Sequence, residues 1–479
     1  MKFFAHKLFI AVFIGFSFAI FQAVAAPMVD GHIVVLDSKT VINTVAADMS
    51  RVDRLKAVHS QLKSHANRSQ QNIVSYLDAR AIEYRPYWIV NAVFIRASQA
   101  QVDQIRKMPG VADVIANKRY RNRLPEPVSS SQSRGVPQWN IAMIGADRVW
   151  ALENTGQSIV VGTADTGVFY QHPAIHSRYR GFVATEDPHD FNWFDAACDV
   201  NDCGSPLAEP ADPHGHGTST LGLIVAGLPG EELGVAPGAQ WIACRNMDEL
   251  GIGSLDSYLR CFEWFLAPTR TDGSDADPSR APHVISNSWS CPVSEGCDAG
   301  QIDLLEDAVD VTLAAGIVVV AAASNAGSSC GSIQTPPAIL SGSMAVGSVG
   351  MNSVISSFSG RGPVVSGGET LLKPQLVAPG SGVRTTDALG DYSSRSGTSA
   401  AAPHVAGTIA LVLAQNPQLI GDTTSVDHLL AVTADPKTSD QGCGGLGPTA
   451  IPNHVYGHGI VDAYQAVIMA DTVFYADFD

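Results

Sequence analysis

The sequence predicts an α/β fold with a mostly parallel sheet flanked by helices, preceded by a small α+β domain. Two apolar strands end in a polar side chain, one at Asp165 and one at Asn325, and residues 405–413 form an apolar run typical of a buried helix. In open α/β sheets, functional side chains collect at the carboxyl ends of the strands. The pattern therefore predicts both the layered architecture and the edge of the sheet that holds a site.

The length and composition indicate a globular protein of two or three domains. The chain has 479 residues, of which 45% are hydrophobic and 16% are charged, so it is long enough to form a sizeable core. Its net charge of −16 argues against nucleic acid and against anionic membrane surfaces as partners. Solubility is the simpler explanation for the acidity.

The first 26 residues have the pattern of a secretory signal peptide. Residues 1–7 are positively charged, residues 8–24 are apolar, and residues 23–27 offer a small-residue cleavage site. An uncleaved membrane anchor is the alternative. No other stretch is apolar enough to span a membrane, so we expect a secreted protein, extracellular or periplasmic, without a membrane contact after signal removal.

The cysteines fit an oxidising compartment. All eight lie after residue 190, and no Cys-x-x-Cys pair that would favour a zinc site occurs among them. The pairing is one choice among many connectivities. We expect four pairs: Cys198 with Cys203, Cys244 with Cys261, Cys291 with Cys297, and Cys330 with Cys443.

The region before the main domain alternates strand and helix patterns. Residues 31–36 and 87–97 are typical of strands, residues 49–77 of a helix, and Ser98 with Gln101 forms a capping box before a helix that stops near residue 108. Residues 111–115 form a last strand, so we expect an α+β sandwich. The expected organisation is a signal peptide (1–26), a small domain (27–123), a linker with a processing site (124–136), the main domain (137–469) and an acidic tail (470–479).

Three ordered motifs supply an acid, a base and a nucleophile. Asp165 ends a strand before a glycine turn, His216 lies between glycines before a helix-like run, and Ser399 lies where a loop turns into the apolar helix. A hydroxyl at a helix N-terminus gains from the helix dipole when it carries developing negative charge. The order Asp, His, Ser belongs to the subtilisin arrangement of the catalytic triad.

On these motifs the chain resembles the subtilisin-like serine proteases, or subtilases, from about residue 137 to residue 467. Residues 191–196, 241–247 and 263–268 resemble the bacillopeptidase F group of that family. The resemblance implies a serine endopeptidase in which Asp165 orients His216, His216 activates Ser399, and Asn325 donates to the oxyanion. A turn asparagine is the simpler interpretation of Asn325.

The resemblance also implies where a peptide binds. In subtilases a wall that corresponds to Ser288, Trp289 and Ser290 pairs with the bound peptide through its main chain, as an added strand. Ala323 and Ser324, just before Asn325, are the other substrate-binding candidates; Ser324 replaces a glycine that is frequent in the family. Core packing is the alternative role of Trp289.

The small domain resembles the inhibitor prodomain of subtilases, particularly over residues 107–115. This likeness implies a folding chaperone and intramolecular inhibitor whose C-terminal end lies in the active site until it is cut. The protein would then be a self-processing zymogen that acts on protein or peptide substrates. An unrelated binding module is the alternative for residues 27–123.

Several alternatives concern the site itself. The chemistry needs no cofactor, but acidic residues between 185 and 213 are compatible with a structural calcium ion, or simply with a solvated loop. Of the other histidines, His214 lacks the following Gly-Thr of the family's base, and His404 fits a packed structural residue. A sedolisin-type peptidase would carry a glutamate base instead of His216, and a catalytically silent subtilase-like binding or inhibitory protein is the non-enzymatic alternative.

Overall fold

The structure is a computed structural model that describes residues 29–39, 42, 49–129, 138–183, 188–198, 205–228, 231–366 and 368–472. The strands are β1 (Val29–Leu36), β2 (Glu83–Pro86), β3 (Ala92–Arg96), β4 (Val111–Arg121), β5 (Val128–Ser129), β6 (Val160–Asp165), β7 (Trp193–Asp195), β8 (Gly227–Leu228), β9 (Glu231–Glu232), β10 (Gln240–Arg245), β11 (Ile252–Ser254), β12 (Val284–Asn287), β13 (Val318–Ala322), β14 (Met344–Val349), β15 (Val364–Ser366), β16 (Glu369–Leu371), β17 (Leu376–Pro379), β18 (Val383–Thr386) and β19 (Tyr392–Arg395). The helices are α1 (Arg51–Ser69), α2 (Gln71–Asp78), α3 (Gln99–Ile105), α4 (Trp139–Met143), α5 (Ala146–Trp150), α6 (Pro173–His176), α7 (His216–Val225), α8 (Leu255–Leu266), α9 (Ala299–Ala314), α10 (Thr398–Gln415), α11 (Thr423–Thr433) and α12 (Ala463–Thr472).

The N-terminal region is an antiparallel sheet in the order β4-β1-β3-β2, with helices packed on it. The capping box forms as predicted: Ser98 accepts from the N–H of Gln101, and the Gln101 side chain accepts from the N–H of Ser98 at the start of α3. One face of the sheet encloses a core with Val34 and Ile95, while Ile33 on the opposite face shares a buried cluster with residues of α8 and α9.

The strand predicted over residues 87–97 is too long. The strand itself, β3, begins at Ala92, and residues 87–91 form the loop of a hairpin that joins it to β2. The N–H of Tyr87 donates to the carbonyl of Ala92 at 3.0 Å, which closes the turn. The apolar pattern continues through the turn because Ile89 and Val90 are themselves buried, so composition alone did not reveal the reversal.

The main region contains a seven-stranded sheet in the order β17-β14-β13-β12-β6-β10-β7, with parallel pairing throughout. Its strands are almost entirely buried, as expected for a parallel sheet covered by helices on both faces. This architecture confirms the predicted fold class. The carboxyl ends of β6, β12 and β13 lie side by side and hold the polar residues that the sequence analysis selected.

Helix α10 packs against this sheet beneath the site. The predicted apolar run is its middle, but the helix begins seven residues earlier, at Thr398, so that Ser399 lies in its first turn. It ends at Gln415 with Asn416 as its C-cap. Pro403 lies inside the helix and has no N–H for the carbonyl of Ser399, four residues earlier; Ser288 Oγ donates to that carbonyl instead, at 3.3 Å.

Three of the predicted cysteine pairs are found together at disulfide distance. Their Cα atoms are 5.7 Å apart for Cys244–Cys261, 5.5 Å apart for Cys291–Cys297 and 5.2 Å apart for Cys330–Cys443. The fourth predicted pair includes Cys203, which lies outside the described residues, as do the signal segment and residues 130–137 of the linker. None of the helices in the described ranges combines the length and the hydropathy that a membrane crossing requires.

Candidate active site

Asp165 and His216 form a buried pair at the centre of the site. Asp165 is the last residue of β6 and His216 is the first residue of α7, which follows Gly215 in a left-handed conformation with a φ of +88°. His216 Nδ1 lies 2.7 Å from Asp165 Oδ1, and the two side chains are 2% and 1% exposed. The pair holds the imidazole in one orientation with its other nitrogen, Nε2, pointing away.

Two further donors hold the Asp165 carboxylate. The N–H of Thr166 donates to Oδ1 at 2.8 Å, and Thr220 Oγ1 lies 3.2 Å from Oδ2. Thr220 is four residues after His216 on the same helix, so the two side chains lie on one face of α7. The sequence analysis missed Thr220, although this helical spacing from His216 is a signal that could have found it.

Asp212 holds the loop that carries His216. Its carboxylate accepts from Thr166 Oγ1, from the N–H of Gly215, and from both the N–H and the hydroxyl of Thr218, at 2.6–2.8 Å. A buried carboxylate needs such donors, because an unpaired charge inside the protein is costly. Asp212 therefore fixes the turn before α7, a structural role that the motif itself did not reveal.

Ser399 lies beside His216. It is 5% exposed and, with His216, lines a small cavity over the start of α10. His216 Nε2 is buried and makes no hydrogen bond to any residue that the structure describes, so it is available to the serine hydroxyl. Gly397 leaves room for the serine side chain, because a Cβ at that position would lie only 2.9 Å from Ser399 Oγ.

Asn325 lies on the other side of Ser399, just after β13. Its Oδ1 accepts from the N–H of Thr398 at 2.8 Å and lies 3.1 Å from Thr398 Oγ1. With the oxygen held in this way, the Nδ2 donor faces the serine: it lies 3.5 Å from the point where a Cβ of Gly397 would stand, and Ser399 Oγ lies 2.9 Å from the same point. The donor and the hydroxyl therefore face the same space.

A cleft of about 450 Å³ adjoins this space and collects four of the five predicted substrate-binding residues. Ser288, Trp289, Ser290 and Ser324 line it together with Asn325 and Ser399. Ser324 has a φ of +77°, in the left-handed region that glycine adopts more readily. Its hydroxyl accepts from the N–H of Ala326 at 3.2 Å, which turns the chain toward Asn325.

Ala323 is the exception, because it does not line the cleft, and a role for it in substrate binding stays a prediction. Its side chain is fully buried in a cluster with Ile333, Ala345 and Val364, and its neighbour Ala322 lines the cleft instead. Successive side chains of an extended segment point to opposite faces, so a shift of one residue exchanges the core for the cleft.

Trp289 is packed in the core, as expected under the alternative, and its role in peptide binding stays a prediction. It lines the cleft, yet it is 3% exposed and its ring stacks on Tyr258 with centroids 3.9 Å apart. Its indole Nε1 donates to Asn287 Oδ1 at 3.0 Å. The Trp289 side chain therefore packs beneath the surface of the cleft.

The other two histidines are held away from the serine. His404 is fully buried between the carbonyl of Ala400 and Asn140 Nδ2, at 2.8 and 2.9 Å, and burial lowers its pKa to about 4. Burial and the neighbouring His216 lower the pKa of His214, whose ring centroid is 6.3 Å from that of His216. Of these three histidines, only His216 contacts a carboxylate and also lines the cavity of Ser399.

The N-terminal region reaches into this site. Strand β4 pairs antiparallel with β11 through Arg119–Ser254, Tyr120–Gly253 and Arg121–Ile252, so the N-terminal sheet continues onto the main region. Residues 121–125 then line the cleft, and Pro125 lies in the small cavity with His216 and Ser399. The resemblance implied that the end of this region lies in the active site, but the pairing with β11 had no local signal, because strand pairing between distant segments leaves no local pattern.

Two of the acidic residues between 185 and 213 have protein partners in the structure, and a calcium ion in this region stays a prediction. Asp190 accepts from Thr271 and Arg270, and Asp195 pairs with Arg245, so their oxygens are already engaged. No group of three or more potential metal ligands is present among the residues described. Asp187, Asp199 and Asp202 lie outside them.

Comparison with known proteins agrees with this geometry. The sequence pattern of the subtilase family matches residues 156–459 of this chain. Bacillopeptidase F of Bacillus subtilis strain 168 is 32% identical over 446 residues, which cover 88% of this chain and 29% of that protein. In the same organism, serine protease AprX is 30% identical over 337 residues (65% of this chain, 67% of AprX), and subtilisin E is 28% identical over 335 residues (68% and 72%).

The chain thus spans less than a third of the length of bacillopeptidase F, and that match bears out the resemblance to its group. The family match covers more than half of the chain and includes the segments that carry Asp165, His216, Asn325 and Ser399. The chain therefore belongs to the subtilase family of serine proteases.

Proposed function

We propose that the chain is a serine endopeptidase that hydrolyses peptide bonds in proteins or peptides through an acyl-enzyme. The observation that carries this proposal is the buried 2.7 Å pair of Asp165 and His216, with His216 Nε2 unpartnered within the described ranges and directed to the cavity of Ser399. In the proposed reaction His216 takes the proton of Ser399 as the hydroxyl attacks the scissile carbonyl, and Asp165 stabilises the imidazolium that forms.

The oxyanion of the tetrahedral intermediate would be held by two donors. Asn325 Nδ2 faces the space in front of Ser399, and the N–H of Ser399 lies in the first turn of α10, where helix N–H groups have no partner within the helix. His216 then protonates the leaving amine, and water resolves the acyl-enzyme by the reverse sequence. These steps use side chains and backbone of this chain only, so the proposed chemistry needs no cofactor.

We further propose that the protein is made as a secreted, self-processing zymogen. Residues 119–121 pair with β11, and the chain continues along the cleft to Pro125 beside Ser399. This placement, like that of a substrate chain, supports an inhibitory role for the N-terminal region. Three cysteine pairs at disulfide distance and the signal-like composition of residues 1–26 support secretion.

The test is covalent labelling of the purified protein with a fluorophosphonate, beside a Ser399→Ala variant. We expect the label on Ser399 in the wild type, none in the variant, and hydrolysis of a casein substrate only by the wild type. A folded wild type that neither takes the label nor cleaves casein after removal of its N-terminal region would contradict the proposal and favour the catalytically silent binding protein.

A further inference from the structure

We propose that residues 441–443 position Asn325, and that a disulfide between Cys330 and Cys443 makes peptide hydrolysis sensitive to thiols. This inference rests on the proposed function, in which Asn325 donates to the oxyanion, and deepens it. The two cysteines are 113 residues apart in the sequence. The proposal therefore adds a distant part of the chain to the support of the site.

The loop that follows Asn325, residues 326–333, is exposed at its middle, over residues 328–330. Near its start, the N–H of Gly327 donates to the carbonyl of Phe358 at 2.9 Å. At its end, the N–H of Ile333 donates to the carbonyl of Arg361 at 3.1 Å. An exposed loop buries few contacts of its own, so its order depends on the groups that anchor it.

Residues 441–443 anchor the middle of this loop at two points. Gln441 Nε2 donates to the carbonyl of Ser328 and lies 3.8 Å from Cys330 Sγ. The Cα atoms of Cys330 and Cys443 are 5.2 Å apart. Cys443 is 2% exposed and belongs to the large core cluster, so this end of the link is fixed in the interior.

Arg361 holds Gln441 in the orientation that this contact needs. Its Nε donates to Gln441 Oε1 at 3.2 Å, which leaves Gln441 Nε2 to face the loop. Arg361 is 3% exposed, and its guanidinium also donates to the carbonyls of Ser356 and Ser359. Hydrogen bonds from a charged group to several fixed acceptors make it a firm support.

The position of Asn325 depends on this loop, because Asn325 is the residue directly before it. Its amide oxygen accepts from the N–H of Thr398, which sets the orientation of the amide but leaves the following backbone to the loop. A donor stabilises a developing charge only where it is held close to that charge. Release of the loop at residues 328 and 330 therefore leaves Asn325 Nδ2 less firmly placed.

The link between Cys330 and Cys443 is accessible to small thiols, because Cys330 is an exposed residue. The cysteines of the other two pairs within the described ranges are at most 1% exposed: Cys244, Cys261, Cys291 and Cys297. Thiol–disulfide exchange depends on access to the sulfur that is attacked. Among these three pairs, a mild reductant should therefore open Cys330–Cys443 first.

The exchange needs a dithiol as its reductant. One thiolate of the dithiol attacks Cys330 Sγ, and Cys443 leaves as a thiolate that takes a proton from solvent. The second thiol of the reagent then closes its own disulfide and releases Cys330 as a thiol. Two electrons pass from the reagent to the protein.

The first experiment treats the secreted protein, expressed from the full-length chain, with rising concentrations of dithiothreitol. Alkylation and mass spectrometry identify the opened cysteines, and a peptide amide reports kinetics. We expect Cys330 and Cys443 to be alkylated first, with kcat lowered by about tenfold, less than for loss of the donor itself, and KM unchanged. Reoxidation with a small disulfide before alkylation should restore kcat. A wild type that keeps its kcat with both cysteines alkylated would overturn the proposal.

A second experiment does not depend on the disulfide. Gln441→Ala removes the hydrogen bond to Ser328 and should lower kcat. Its matched control is Gln334→Ala, because Gln334 Nε2 donates to the carbonyl of Gly331 at 2.9 Å but does not link the loop to residues 441–443. The control should keep the wild-type kcat. Equal kcat values for the two variants would contradict the role of Gln441.

A double-mutant cycle separates positioning of Asn325 from a general structural role. In Asn325→Ala there is no donor left to position, so adding Gln441→Ala, or Cys330→Ser with Cys443→Ser, should lower kcat no further. Losses that multiply would mean that these residues act on the whole fold, and would overturn the proposal.

The failure of this proposal differs from the failure of the proposed function. A wild type that hydrolyses peptides and responds to none of these changes would overturn the positioning role alone. No hydrolysis by the untreated wild type would overturn the peptidase function, and this inference with it.

Discussion

Two carboxylates in this protein, Asp165 and Glu263, both accept hydrogen bonds in protected surroundings, but their donors come from different parts of the chain. Asp165 is held by His216, Thr166 and Thr220, all within the main region. Glu263, on α8, accepts from the backbone N–H groups of Trp88 and Ile89 at 2.8 and 3.1 Å, both in the N-terminal region. Burial raises the pKa of Glu263 to about 7.

If the N-terminal region is removed as proposed, this difference separates a site that stays intact from a contact that is lost. If the N-terminal region is removed, Asp165 loses none of these donors, whereas Glu263 loses both. The same holds for Asp256 at the start of α8, which pairs with Arg85 and Tyr87 of the N-terminal region. The donors of Asp165 thus lie within the main region, whereas Glu263 and Asp256 of α8 hold the N-terminal region.

The largest expected effect is that of a substitution at Asp165, the carboxylate held within the main region. In Asp165→Asn the pair with His216 keeps its shape but loses the charge, and the imidazole is no longer held with its proton on Nδ1. We expect kcat to fall by about 10⁴-fold, the size of the effect in serine proteases with this triad, subtilisin included. Steady-state kinetics on a peptide amide measures it, with thermal unfolding as a check that the variant is folded. A loss below tenfold would contradict the role of Asp165.

The next effect concerns the donor opposite the triad. Asn325→Ala removes the amide that faces the space before Ser399, and we expect kcat to fall by about 10²- to 10³-fold with little change in KM. This range is the one known for such a donor in subtilisin itself. A change confined to KM would contradict an oxyanion role and would place Asn325 among ground-state contacts.

A smaller effect is expected at Thr220, which helps to hold the Asp165 carboxylate. Thr220→Val keeps the shape of the side chain but removes the hydroxyl 3.2 Å from Asp165 Oδ2, so the carboxylate is held less firmly. We expect kcat to fall by about tenfold with KM unchanged. Thr220→Ser keeps a hydroxyl and should restore most of kcat; if it behaves like the valine variant, the hydroxyl has no part in holding Asp165.

The smallest expected effect concerns Glu263 and its contact with the N-terminal region. The pKa of Glu263 is about 7 when it is covered, against a usual value near 4.5, so the covered state favours the protonated form and loses stability as the pH rises from about 4.5 to 7. Glu263→Gln removes this cost. In the Ser399→Ala background, which would keep the chain intact, we expect the glutamine variant to melt a few degrees higher at pH 8 and nearly unchanged at pH 4.5.

The control for this measurement is Glu249→Gln, a half-exposed carboxylate of the main region that pairs with Arg245. It should not reproduce the gain at pH 8. A glutamine variant at position 263 that melts lower than its parent at pH 8 would mean that the charge of Glu263 strengthens the contact, contrary to the raised pKa.

The sequence predicted those features that are determined by residues close together in the chain. The capping box of Ser98 and Gln101 forms within four residues, and the strand that ends at Asp165 is specified by its own apolar run. The seven-stranded parallel sheet follows from several such runs, and the triad positions follow from the ordered motifs. The structure brings Asp165, His216, Asn325 and Ser399 into one place, as expected, while their catalytic roles remain predictions.

What could not be predicted depends on pairing between distant segments. The sequence of residues 119–121 does not specify Ile252–Ser254 as their partner strand. The sequence around Arg395 likewise does not predict its contact with the carbonyl of Pro125. The burial of Ala323 could not be predicted for a similar reason, since the motif places the segment but not the face on which each side chain lies. Loop 87–91 was assigned to a strand because its buried residues continue the apolar pattern.

The measurement that tests the central claim most directly is mass spectrometry of the secreted wild-type protein beside Ser399→Ala. We expect the wild type to lack its N-terminal region, with a new N-terminus between residues 121 and 137, and the variant to keep that region. This result would mean that Ser399 cuts the chain that lies across its own cleft. Wild type and variant trimmed alike, or neither trimmed, would contradict self-processing by this site.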